Sequence, residues 1–100
     1  MSNNSLFVFA KISPKAEFFD DAKNAILNIV LQTREESGCT QFEVHENEEK
    51  DELYLYEEWK SAKDLQSHHE KSYTLDIFKS YENWLARPVV ITKMIECEKS

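Results

Sequence analysis

The sequence predicts an α+β fold of the order β-α-β-β-α-β, and three observations carry that expectation. The segment LFVFAKI (residues 6–12) is apolar on both of its alternating faces, as in a strand covered on two sides. A helical period follows and fades just before Gly38, the only glycine in the chain. Two alternating segments then flank the acidic run ENEEKDE (46–52), which is the pattern of a hairpin with a solvated turn.

In the first strand Leu6, Val8, Ala10 and Ile12 share one face, and Phe7, Phe9 and Lys11 share the other. Ser13-Pro14 reads as a helix start, with a capping hydroxyl and a proline at the first helical position. Phe19, Ala22, Ile26, Ile29, Val30 and Thr33 recur at helical spacing, so the helix should run to about Ser37. Gly38 is then expected at its end in the left-handed conformation that other residues resist. In CTQFEVH (39–45), Cys39, Gln41, Glu43 and His45 alternate against Thr40, Phe42 and Val44. In ELYLYEEW (52–59), Leu53, Leu55, Glu57 and Trp59 point one way and Tyr54, Tyr56 and Glu58 the other.

Two helical stretches follow, over residues 61–70 and 75–85, the second with Ile77, Phe78, Tyr81, Trp84 and Leu85 as its apolar side. Pro88 halts the helix and VVITKMIEC (89–97) reads as the last strand. This order is the ferredoxin-like split βαβ arrangement, a four-stranded antiparallel sheet with helices on one face. One hundred residues are expected to form one domain, 1–100.

Helices on one face leave the other bare. Phe7, Phe9, Tyr54, Tyr56, Val90 and Met94 would then form an apolar patch larger than a monomer tolerates. A homodimer, sheet face against sheet face, is the simplest relief.

The formal net charge of −7 argues against a nucleic-acid partner or an anionic membrane surface, since both need basic residues. The longest apolar run near the N-terminus, residues 6–10, is too short to span a membrane and follows no cationic segment. With no leader sequence in view, Cys39 and Cys97 are expected as reduced thiols in a cytoplasmic protein.

Among candidate chemical groups, His68 and His69 point about 100° apart on a helix, so they cannot share one metal in an ordinary way. Burial of Leu65 requires one of them to face the sheet, and periodicity alone does not choose between them. Glu57 shares a strand face with Leu53, Leu55 and Trp59, so its carboxylate must find donors or titrate upward. Beside an imidazole it would form an acid/base pair; paired across the sheet it would only fix register. Trp59 is either a core plug or a wall for a ligand. No glycine-rich phosphate loop, nucleophile elbow or HExxH run is present, so the sequence gives no support for a nucleotide, flavin or metal cofactor.

Four elements together resemble a known family. They are Glu36-Ser37-Gly38-Cys39, Phe42-Glu43-Val44, Leu55-Tyr56-Glu57-Glu58-Trp59 and Leu65-Gln66-Ser67-His68. Their order is similar to that of the antibiotic biosynthesis monooxygenase domain, whose members include quinol monooxygenases. The resemblance implies a ferredoxin-like dimer, a dimeric α+β barrel, with a cavity between sheet and helices in each subunit. It also implies oxidation of a quinol or another electron-rich aromatic by dioxygen without a cofactor. It selects His68 as the inward histidine and places Glu57 and Trp59 at the cavity. His68 or ionised Glu57 would remove a phenolic proton, while Trp59 and Phe42 pack on the ring.

The chain departs from the family in two places. Relatives often carry a second histidine shortly after the first; here the nearest match is Ser72-Tyr73, so Tyr73 would stand in as donor or acid. Haem-degrading relatives need an asparagine where this chain has Ala10-Lys11-Ile12. A third branch isomerises a phosphorylated dione with a lysine after the hairpin strand and a histidine eight residues on. Lys60 and His68 match that spacing, which makes phosphate contact at Lys60 the alternative reading. A non-catalytic dimer that uses the cavity to sense a ligand is the third.

Overall fold

A computed structural model describes residues 4–98 and contains the expected ferredoxin-like sheet. Strand β1 (Leu6–Ile12) lies inside it, antiparallel to β3 (Leu53–Trp59) on one side and to β4 (Val90–Met94) on the other. Strand β2 (Cys39–Glu46) pairs with the far edge of β3, giving the order β2-β3-β1-β4. Alternation places Val8, Ala10, Ile12, Leu53, Leu55, Glu57 and Trp59 on the inner face, and all are buried.

Helices α1 (Phe19–Asn28) and α2 (Val30–Arg34) cover this face with Phe19, Ala22, Ile26, Ile29 and Thr33, the stripe read from the helical period. They are two helices rather than one because the backbone loosens at Ile29, with φ −103° and ψ 2°. Helix α3 (Ala62–His69) starts at Ser61, whose hydroxyl accepts the Asp64 backbone N–H and donates to the Asp64 carboxylate at 2.7 Å. Helix α4 (Ser72–Trp84) begins three residues earlier than expected and buries Thr74, Ile77 and Tyr81.

Three local expectations are corrected. Ser13-Pro14 does not start a helix. Pro14 bridges to Leu85, while Lys15 N–H bonds to Trp84 O and Ala86 N–H to Ser13 O, each at 2.8 Å. The Ser13 hydroxyl, free to cap a helix only if unclaimed, donates instead to Glu52, and helical structure begins with a 3-10 turn at Ala16–Phe18. The alternation in β2 also breaks. A bulge between Cys39 and Gln41 puts Cys39 opposite Trp59 and Phe42 opposite Glu57, so Cys39 joins Phe42 and Val44 on the inner face.

The third correction concerns Gly38, whose φ is not positive. Glycine is required there by contact. A Cβ at this position would lie 2.2 Å from Asp64 Cγ and 2.3 Å from Asp64 Cβ, so the start of α3 could not approach. Gly38→Ala should therefore destabilise the fold by about 1–3 kcal/mol, the range for overpacking. The same substitution should be milder in an Asp64→Gly background, and a double-mutant cycle in urea checks the coupling.

The outer face of the sheet carries Phe7, Phe9, Tyr54, Tyr56, Val90 and Met94, as the alternation implied. Phe9 and Tyr54 stack at 5.7 Å, yet Phe9 is 41% and Val90 56% exposed. No helix among the described residues is long and apolar enough to cross a membrane.

Candidate active site

Glu57 is placed by strand parity and nothing else. Its neighbours across the sheet are Val8 on β1 and Phe42 on β2, both buried and neither able to donate from its side chain. The carboxylate is 5% exposed and, among the described residues, takes one hydrogen bond, from the Trp59 indole N–H to Oε1 at 2.8 Å. Burial pushes its pKa up to about 7; the indole bond pulls it partly back, and the Glu36 charge adds to the rise.

His68 reaches the same region from α3, one turn after buried Leu65, and it is 4% exposed. Its ring packs against Trp59 at 4.8 Å between centroids and against Phe42 at 5.9 Å. Nδ1 lies 2.8 Å from Glu36 Oε2, and the Tyr73 phenol donates to that same oxygen. A carboxylate can only accept, so this contact places an imidazole proton on Nδ1. Burial, followed by Glu36, holds the Tyr73 phenol above the ordinary tyrosine range, which keeps it a donor.

Glu57, His68 and Phe42 line one cavity between the sheet and the helices, closed on the helical side by Thr74, Ile77 and Tyr81. The Tyr81 phenol is likewise pushed up, by burial first and then by Glu57. The cavity volume is about 50 Å³. That is far below the several hundred Å³ of a ligand pocket, so an aromatic ring enters only when the mouth opens. Phe78 and Ile91, which line the cavity and are 37% and 44% exposed, mark that mouth. His69 also lines it, edge-on to Phe78 at 5.4 Å, and burial lowers its pKa.

The other residues singled out from sequence lie further back. Trp59 is fully buried and acts on the cavity only through Glu57 and His68. Tyr73 is connected through Glu36. Lys60 is exposed at the bend after β3, its backbone N–H held by Gly38 O at 2.9 Å, and it does not line the cavity. Sequence reasoning missed the part Glu36 plays. The signal was available: the buried stripe Ile26, Ile29, Thr33 continues by three residues to Glu36, so a carboxylate was due on the inward side.

The indole bond makes a testable link. Trp59→Phe removes the donor that holds Glu57 down, so the Glu57 carboxyl should titrate above about 7, as followed by NMR of the labelled carboxyl carbon.

Comparison with known proteins is consistent in fold and in family. The family model described as antibiotic biosynthesis monooxygenase matches residues 5–85. A Mycobacterium tuberculosis protein that carries the provisional name of a monooxygenase is 24% identical over 93 residues, 93% of this chain and 92% of the relative. A solved structure from M. tuberculosis is similar at a TM-score of 0.89 and 23% identity, covering 96% of this chain and 98% of that one. Another, from Nitrosomonas europaea and provisionally described as an antibiotic biosynthesis monooxygenase, gives 0.88 at 20% identity over 100% and 97% of the two chains.

Proposed function

Because the chain belongs to the antibiotic biosynthesis monooxygenase family, we propose that it oxidises a quinol or another electron-rich aromatic small molecule with dioxygen, using its own side chains and no cofactor. The observation that carries this reading is Glu57: a carboxylate buried among apolar neighbours, titrating near 7, and facing a cavity beside a histidine. A base with that pKa removes a phenolic proton far better than an ordinary carboxylate does.

Glu57 accepts the proton of one hydroxyl. His68, its Nδ1–H committed to Glu36, packs beside the ring and fixes the angle at which that hydroxyl meets Glu57. The phenolate passes one electron to dioxygen, and the aryloxyl radical, its spin shared with the ring, and superoxide combine in a new C–O bond at a ring carbon beside the oxygen. The proton held by Glu57 goes to the peroxide, which loses water as that carbon becomes a carbonyl. The sum is quinol plus dioxygen to hydroxyquinone plus water. The apolar walls suit the ring and keep bulk water from the radical pair.

A homodimer through the open face of the sheet belongs to the same proposal, supported by the exposed aromatic and aliphatic patch there. The position of Lys60 outside the cavity gives the isomerase alternative no phosphate contact at the site. Oxygen uptake by metal-free protein with a panel of hydroquinones tests the oxidation. Uptake, with one atom of labelled dioxygen in the product, supports it; no uptake above buffer overturns it.

A further inference from the structure

The cavity contains a buried polar group with no partner. Thr74, in the first turn of α4, is 3% exposed, and its Oγ1 makes no hydrogen bond to any of the described residues. Its backbone N–H is taken by Lys71 O at 3.1 Å, so only the hydroxyl is unpaired. Burying a hydroxyl without a partner is unfavourable, and valine would fill almost the same space without that penalty. A group of this kind inside a cavity points to what enters the cavity.

The arrangement of the walls says which atom it meets. Glu57 stands on the sheet, and Thr74 stands on the helix that faces the sheet across the cavity. A ring that gives one hydroxyl to Glu57 turns its far edge toward α4. We propose that Thr74 Oγ1 pairs with a second oxygen on that edge, so that the site selects a diphenol over a monophenol; this rests on the oxidation read above.

A hydroxyl suits that position for a chemical reason. It accepts a hydrogen bond from the O–H of a quinol and donates one to the C=O of the quinone that forms. A carboxylate at this place would have no hydrogen to offer the C=O of the oxidised ring. Thr74 therefore stays paired on both sides of the reaction.

Anaerobic binding of hydroquinone and of 4-methylphenol, in which a methyl group replaces the second hydroxyl, tests this without any turnover. Wild-type protein should prefer hydroquinone by about tenfold, roughly the reach of one hydrogen bond. Thr74→Val should erase the preference by weakening hydroquinone alone, while the unligated variant melts no lower than wild type. Thr33 provides the control: its hydroxyl is also buried and unpartnered, but it does not line the cavity. Thr33→Val should leave both affinities unchanged. A preference that survives in Thr74→Val, or no binding of hydroquinone to wild type, overturns the assignment. Selective binding that depends on Thr74 without any oxygen uptake would instead overturn the oxidation and leave the assignment standing.

Discussion

Glu57→Gln should lower oxygen uptake with a hydroquinone by about a hundredfold or more, the size expected for a lost general base, and it should also make the protein more stable at neutral and alkaline pH. Both effects come from one placement. The carboxylate sits between Val8 and Phe42 with a single donor among the described residues, so its charge is poorly solvated and its pKa rises from 4.5 to about 7. In the folded state it stays protonated at pH values where the unfolded chain has already released its proton.

The contribution of Glu57 to stability is therefore full below about pH 4.5, falls as pH rises to about 7, and is level above that. The difference of about 2.5 units corresponds to about 3 kcal/mol. Glutamine keeps the shape of the protonated acid and has nothing to ionise. Wild type and Glu57→Gln should thus show similar unfolding free energies near pH 4.5, with the variant ahead by up to about 3 kcal/mol near pH 8. Urea titrations at the two pH values check this. A residue that weakens the fold at working pH and sharpens a base is what a site under functional demand is expected to carry.

Glu36→Ala should have the largest effect among the supporting residues. One carboxylate oxygen accepts from both the His68 ring and the Tyr73 phenol, and thereby ties the end of α2 to α3 and α4. Alanine leaves two largely buried donors without an acceptor. Each such loss is worth about 1–3 kcal/mol, so a total of about 2–5 kcal/mol is expected. The Tyr73→Phe background should soften the penalty because one of the stranded donors is then absent.

Glu36→Gln separates position from charge. Its amide oxygen can still accept one bond, so most of the stability should return. Losing the Glu36 charge also removes part of what raises the Glu57 pKa. The fall of oxygen uptake on the acid side should therefore move to lower pH in Glu36→Gln, with the protein folded. Recovery of stability with no shift in that fall would mean that Glu36 acts only as a structural tie.

The larger part of this arrangement was legible in the sequence because it depends on period. A period of two put Leu53, Leu55, Glu57 and Trp59 inside, and a helical period put Ile26, Ile29 and Thr33 above them. The readings that failed depend on contacts remote in sequence. Ser13 looked like a cap because Glu52, which takes its hydroxyl, lies 39 positions away. Gly38 looked like a left-handed helix end, and a glycine needed for close approach to Asp64 leaves the same mark in the sequence. Cys39 was put on the wrong face because one bulge reverses every parity before it. The importance of Thr74 had no local signal, since an unpaired hydroxyl is visible only once its surroundings are.

In the proposed reaction a buried carboxylate at position 57 takes a proton from a phenol so that the ring can reduce dioxygen. The rate of oxygen uptake by metal-free protein with one hydroquinone, followed from about pH 5 to about pH 9, tests it most directly. Uptake should fall on the acid side with a midpoint near 7, where Glu57 becomes protonated, and Glu57→Gln should lack that limb along with most of the rate. A Glu57→Gln variant that consumes oxygen at the wild-type rate with the same acid limb would contradict the claim.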